Sequence, residues 1–171
     1  MGYIEQDTAT FELRFVNEAI GNYFSNFEST SKRKVNQKQV TYNDFLSNKM
    51  LIIRAIRQGL PYEIFNFIKD ITPFTEDDWA DYLNLSKKTL LRYRNEEDFL
   101  FKPIHSEKII ELAEVTNYGK TVFDTTEQFY LWLNTPSYAL GNLMPGELLK
   151  DSYGKELVMS ELNRIENGIF A

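Results

Sequence analysis

Glu76-Asp77-Asp78-Trp79-Ala80-Asp81-Tyr82-Leu83-Asn84-Leu85-Ser86-Lys87-Lys88-Thr89-Leu90-Leu91-Arg92-Tyr93-Arg94-Asn95 reads as two short helices joined by one tight turn. The first helix starts after Thr75, because three carboxylates favour the positive N-terminal end of a helix dipole. Three adjacent acids at a helix start are solvated dipole partners rather than a metal or catalytic cluster. Ala80, the fifth residue, is small where two helices cross closely. Asn84, the ninth, is the side-chain-bearing residue best suited to a left-handed turn. Ser86 is a natural N-cap for the second helix, which ends near Asn95. Trp79, Leu83 and Leu85, with Leu90 and Tyr93, would lock the pair together. This is the pattern of a helix-turn-helix, position by position.

The register leaves Ser86, Lys87, Lys88, Leu91, Arg92 and Asn95 on the outward face of the second helix. Lys and Arg suit phosphates and guanine edges, Asn suits adenine, and an exposed Leu can touch a thymine methyl. A plain helical hairpin with a solvated basic face would not need Ala80, Asn84, Leu85 and Leu90 in register. The acids that follow, Glu96, Glu97 and Asp98, would repel a nucleic-acid backbone they approached. Charge along the chain follows the same division. Residues 1–31 carry one basic and five acidic groups (net −4), residues 32–105 thirteen and ten (net +3), and residues 106–171 five and ten (net −5). A basic middle between acidic flanks suits a DNA-contacting module, although the chain as a whole carries −6. Lys32, Arg33, Lys34 and Lys38 could add an arm on phosphates or form a solvated linker.

Outward from this segment the periodicity is helical almost throughout. Residues 1–24 contain an amphipathic stretch (Phe11, Leu13, Phe15, Val16, Ile20, Phe24) compatible with helix or strand, and residues 25–39 read as a polar linker. Leu51, Ile52, Ala55 and Ile56 make one face of a helix that Gly59 closes and Pro61 ends. Pro61 suits the first turn of the next, with Ile64, Phe65 and Ile68 inward. Further helices are expected over 106–118 (stopping at Gly119), 125–133 (stopping by Pro136), 145–151 and 155–167. In the last, Val158, Leu162 and Ile165 form a stripe and Gly168 terminates it. Trp132 and Leu133, at helical spacing from Phe129, are expected in the core. Asp124 and Glu127 have the spacing of a capping box, not of an acid–base pair.

With 171 residues, 43 % hydrophobic and 15 % aromatic, the chain can bury about 70 % of its unfolded surface. It has no Cys and one His, which excludes disulfides, thiolate metal sites, Cys nucleophiles and most triads. His105 has no partner in sequence and reads as a surface or packing residue. No nucleophile elbow, phosphate loop or metal-ligand spacing is present, so neither catalysis, a metal nor a cofactor is expected. No apolar run approaches a membrane span and no signal-peptide order opens the chain. A bacterial cytoplasmic protein is expected. What periodicity does not explain is the apolar Ile169-Phe170-Ala171.

Several blocks, in order, resemble the Xre/MbcA/ParS family of type II antitoxins. They are Ile56-Arg57-Gln58-Gly59-Leu60-Pro61, Asp78-Trp79-Ala80 with Leu85-Ser86-Lys87-Lys88-Thr89-Leu90, and Ser106-Glu107-Lys108-Ile109-Ile110-Glu111-Leu112-Ala113-Glu114-Val115. They continue through Trp132-Leu133-Asn134-Thr135-Pro136, Ala139-Leu140-Gly141-Asn142, Pro145-Gly146-Glu147-Leu148-Leu149, Gly154, Leu162-Asn163-Arg164-Ile165 and Gly168-Ile169. The resemblance covers about residues 46–171; where the family often has Gly-Gly, this chain has Gly141-Asn142. It implies an all-α fold, an Xre-like helix-turn-helix bundle followed by a small helical toxin-binding domain. The expected division is an N-terminal, partly flexible segment (1–45), a helix-turn-helix domain (46–104) and a toxin-binding domain (105–171).

Such antitoxins pair with RES-domain toxins, which consume NAD⁺, and cover the toxin's active-site mouth. Many also repress their own operon. The resemblance therefore implies a cognate RES-domain toxin and operator DNA as partners, in a homodimer or a toxin–antitoxin hetero-oligomer. Its toxin-facing surface would be Leu140, Gly141, Asn142 and Arg164, with Gly168, Ile169, Phe170 and Ala171 as an apolar plug. The alternative is a stand-alone helix-turn-helix regulator whose C-terminal domain only dimerises.

Overall fold

The computed structural model describes residues 2–28 and 39–169, with side chains from residue 13 to 26 in the first helix. The polar segment around Lys32, Arg33, Lys34 and Lys38 and the residues Phe170 and Ala171 lie outside the described residues. The elements are α1 (Gly2–Glu28), α2 (Tyr42–Ser47), α3 (Lys49–Gln58), α4 (Tyr62–Ile71), α5 (Glu76–Tyr82), α6 (Lys87–Arg94) and α7 (Pro103–Val122). They are followed by α8 (Thr126–Leu133), a 3-10 turn, η1 (Tyr138–Leu140), then α9 (Pro145–Leu148) and α10 (Ser152–Glu166). Among the described residues the only β pairing is two isolated bridges, Pro61 with Leu100 and Ser137 with Leu143. The fold is all-α. The stretch that left helix and strand open, residues 1–24, is helix and continues to Glu28.

The chain forms two compact units that interleave along the sequence: residues 1–71 with 96–106, and residues 72–95 with 107–171. In the first, α1 packs on α4 and α2, burying Val16, Ile20 and Phe24. Thr41 and Asp44 form a capping box that starts α2. Asn48 ends α2 and caps α3. The α3–α4 corner is held by the segment 99–101. Phe101 N–H donates to the Leu60 carbonyl (2.8 Å) and Tyr62 N–H to that of Phe99 (3.3 Å). Gly59 (φ +90°) lies so close that a Cβ would come within 2.5 Å of the Phe101 carbonyl oxygen. Tyr62, Phe65, Phe99 and Phe101 form an aromatic cluster there, and His105 meets Phe101 edge-on at 6.4 Å.

Several helix limits differ from expectation, some for local and some for non-local reasons. α7 starts at Pro103 rather than Ser106. Proline supplies the first turn, and the buried Ser106 hydroxyl donates to the Phe101 carbonyl (3.2 Å) while accepting from Leu60 N–H (3.0 Å). Gly119 does not stop α7, which runs to Val122. Its missing Cβ leaves room for the Phe129 ring, 2.5 Å from where that atom would stand. α10 starts three residues early because Asp151 caps it by accepting from Gly154 N–H (2.9 Å). The cap of α8 is Thr125, accepting from Gln128 N–H (3.2 Å), and not Asp124.

In the second unit Trp79, Leu83, Leu90, Ile109, Leu112, Phe129, Leu133, Leu149, Val158 and Leu162 are buried. Phe123, Phe129 and Trp132 stack within about 6 Å of one another (5.6–6.1 Å). Leu133 is fully buried, while Trp132 is half-buried. Two half-buried ion pairs hold the polar side of α7, Lys108 to Glu111 (2.6 Å) and Lys155 to Glu114. Lys108 also donates to the Leu149 carbonyl (2.9 Å).

Candidate functional site

The helix-turn-helix is built from local rules. Thr75 and Asp78 form a reciprocal capping box: Thr75 N–H donates to Asp78 Oδ2 (2.8 Å), and Asp78 N–H donates to Thr75 Oγ1 (3.2 Å). Of the acidic triplet, Asp78 is thus the structural member, Asp77 pairs with Lys87, and Glu76 is exposed. Asn84 takes φ +52°, and Leu85 N–H donates to the Ala80 carbonyl across the turn (2.9 Å). Ser86 caps α6 by accepting from Thr89 N–H (3.0 Å).

The six outward residues Ser86, Lys87, Lys88, Leu91, Arg92 and Asn95 are all exposed. Their side chains are not equally available. Ser86 is occupied by its cap, and Asn95 donates to the Leu91 carbonyl (3.0 Å), closing the helix. Arg92 lies over the Tyr93 ring at 5.4 Å, an arrangement that orients its guanidinium. With Lys87 paired to Asp77, Lys88, Leu91 (57 % exposed) and Arg92 are the members of the face engaged by neither a cap nor that ion pair.

α5 is also fastened to the C-terminal block, which the sequence did not disclose. Tyr82 donates to the Gly146 carbonyl (3.0 Å), Tyr130 donates to Asp78 Oδ2 (3.1 Å), and Lys150 pairs with Asp81 (2.8 Å). Burial, reinforced by the charges of Asp78 and Asp81, raises the Tyr82 phenol above its ordinary range. Burial and the bond to Asp78 do the same for Tyr130. Both phenols therefore stay protonated and keep donating.

The second candidate surface begins at residues 137–143, a closed loop. Ser137 N–H donates to the Leu143 carbonyl (3.0 Å) and Asn142 N–H to that of Ser137 (2.8 Å). Gly141 (φ +68°) and Asn142 (φ +61°) are consecutive left-handed residues. Asn at the second is the substitution such a backbone tolerates best. Both are exposed, Leu140 is half-buried, and nothing lies within 4 Å of a Cβ added at Gly141. η1 packs against α10, the helix that carries Arg164. Arg164 is half-buried and pairs with Glu161 (3.2 Å).

Past the end of α10 the chain turns at Gly168 in a two-bond closure. Gly168 N–H donates to the Ile165 carbonyl (3.0 Å) and Ile169 N–H to that of Arg164 (2.9 Å). This turns Ile169 into solvent at 57 % exposure. The helix end is steadied from α7, where Tyr118 donates to Glu166 (2.5 Å) and accepts from Asn163 (3.0 Å). Sequence reasoning missed several other large exposed apolar residues of this block, Leu131, Tyr138, Leu143, Tyr153 and Leu157. The i, i+4 spacing of Tyr153 and Leu157, away from the buried stripe, was the available signal.

Two family models match, in chain order. Residues 51–114 match the antitoxin Xre-like helix-turn-helix domain, which takes in the α5–turn–α6 geometry described above. Residues 119–168 match the antitoxin Xre/MbcA/ParS C-terminal toxin-binding domain, which takes in the 137–143 loop and α10. A search of the curated proteins gave no match.

Proposed function

We propose that this chain, whose two matched domains make it an Xre/MbcA/ParS-type antitoxin, neutralises a RES-domain, NAD-degrading toxin by covering its active site. The supporting observation is the matched toxin-binding block itself. Its 140–142 turn projects Gly141 and Asn142 into solvent, and its helix end presents Arg164 and Ile169. A narrow turn of Leu140, Gly141 and Asn142 can enter a concave mouth that bulkier side chains could not. Arg164 can exchange its partner Glu161 for a lone carboxylate inside the otherwise basic mouth, and the apolar residues from Ile169 onward can fill an emptied substrate pocket. In the bacterial cytoplasm the same chain represses its own operon. Lys88, Leu91 and Arg92 contact operator DNA, with Ser86, Lys87 and Asn95 at the edges of the contact. The assembly is a homodimer or a toxin–antitoxin hetero-oligomer.

The test is co-expression with the RES-domain protein encoded beside this chain's gene. The full chain should restore growth, and a variant lacking residues 168–171 should not, while both retard an operator fragment equally in a gel. Full rescue by the shortened chain would overturn the plug. No neighbouring toxin, with DNA binding intact, would make the chain a stand-alone regulator.

A further inference from the structure

Tyr153 and Leu157 are 83 % and 54 % exposed, on a helix whose Val158 and Leu162 are fully buried. At 100° per residue, Tyr153, Leu157 and Arg164 fall within about one-eighth of a turn of each other. Val158 and Leu162 point to the other side. The two side chains therefore stand clear of the core, and Arg164 follows two turns on along the same face, past the exposed Ser160. Carboxylates flank this stripe, Glu156 on one side and Glu161 on the other. Away from this face α10 is tied to α7 by Lys155 with Glu114 and by Asn163 and Glu166 with Tyr118.

We infer that Tyr153 and Leu157 are the anchor by which this domain grips its toxin, seated in an apolar groove with a basic rim beside the active-site mouth. The inference rests on the antitoxin reading above and adds a patch that reading did not contain. Three observations commit the face to the toxin. The toxin-binding match spans residues 119–168 and so encloses the whole stripe. The stripe shares its helix face with Arg164, two turns on. The matched residues carry four basic and seven acidic groups, net −3. A surface that handles the phosphates of a dinucleotide is basic and complements that charge, whereas a second copy of this chain brings the same negative surface. An exposed aromatic on a rigid helix loses little freedom on docking, which makes Tyr153 the stronger of the two anchors.

The experiment measures affinity for the RES-domain protein encoded beside the gene, inactivated at its catalytic site, by titration calorimetry. Tyr153→Ser and Leu157→Ser replace exposed side chains, and unchanged melting curves verify the fold. Tyr153→Ser should weaken binding about 30-fold or more, the double variant should abolish co-purification, and Glu156→Lys should weaken it through like charge on the basic rim. Two further variants, Arg164→Ala and removal of residues 168–171, report on the antitoxin reading alone. If those two abolish binding while Tyr153→Ser and Leu157→Ser bind as the parent does, the anchor is refuted and the reading stands. If the parent chain does not bind the toxin, the reading fails first. If the serine variants change only the sedimentation of the free chain, the face serves self-association and the anchor is refuted.

Discussion

Gly154→Ala sets two effects of opposite sign against each other, and the structure decides which wins. Gly154 lies in the first turn of α10, where replacing glycine by alanine ordinarily stabilises a helix by about 0.5–1 kcal/mol. Here the added Cβ would stand 1.8 Å from the Leu148 carbonyl oxygen, 2.6 Å from its carbon and 3.0 Å from its Cα. All three are backbone atoms of α9, so no side chain can swing aside. Reaching even 3.0 Å requires α9 to move about 1.2 Å from α10. That shift would strain the Asp151 cap and unseat the buried Leu149. Overpacking against side chains costs roughly 1–3 kcal/mol, and a backbone clash belongs at or above the upper end. The net expectation is destabilisation by about 3 kcal/mol, which for a chain of this length lowers the melting midpoint by about 6–12 °C. Circular dichroism melts of parent and variant measure it. Gly141→Ala is the control: nothing lies within 4 Å, so only left-handed strain of about 1–2 kcal/mol applies. A Gly154→Ala chain as stable as the parent would refute the steric argument.

The turn at Asn84 (φ +52°) should accept Gly almost without change but lose about 1–2 kcal/mol with Val, measured by urea denaturation; equal stability of the two would remove the left-handed requirement. Tyr82→Phe deletes the bond to the Gly146 carbonyl and should cost about 1 kcal/mol in the same assay. Arg92→Ala should reduce the salt slope of operator binding by about 0.9 if the guanidinium neutralises one phosphate; an unchanged slope excludes that contact. Burial, and then the charge of Lys102, lower the His105 pKa below its ordinary 6.5. In the window between the depressed folded pKa and 6.5, the unfolded chain binds more protons. This contribution to stability is therefore full above 6.5 and is lost as pH falls through the window. His105→Gln should flatten that part of the stability–pH curve, and a parent curve already flat there would contradict the assignment.

Legibility in this sequence follows how local each cause is. The helix start after Thr75, the left-handed Asn84 and the Ser86 cap all depend on residues within a few positions, and each stands where the spacing put it. The stop expected at Gly119 failed because its cause lies elsewhere. Glycine reads as a helix end when only neighbours are considered, but here it makes room for a ring ten positions on. Ser106 misled in the same way. A serine before an apolar run suggests a cap, yet its hydroxyl satisfies the buried Leu60 N–H, 46 residues away. Asp124 lost the cap of α8 to Thr125, a one-residue ambiguity between two good capping types.

The candidate surfaces divide along the same line. The α6 face was legible because helical periodicity alone separates Leu90 from Lys88, Leu91 and Arg92. The fastening of α5 was not, although its chemistry was in view. Asp78 reads as a dipole partner, and Tyr82 takes no role from its neighbours, until Tyr130 and Gly146 arrive from 52 and 64 residues away. Those bonds make the first helix of the helix-turn-helix part of the same compact unit as α8 and α9. A polar residue on a short helix therefore has two readings, solvated face or docking contact, and composition cannot separate them. Burial can: Tyr82 and Tyr130 are both partly withdrawn from water, and that loss of hydration is the first cause that raises each phenol, whereas a fully solvated face would keep its hydration.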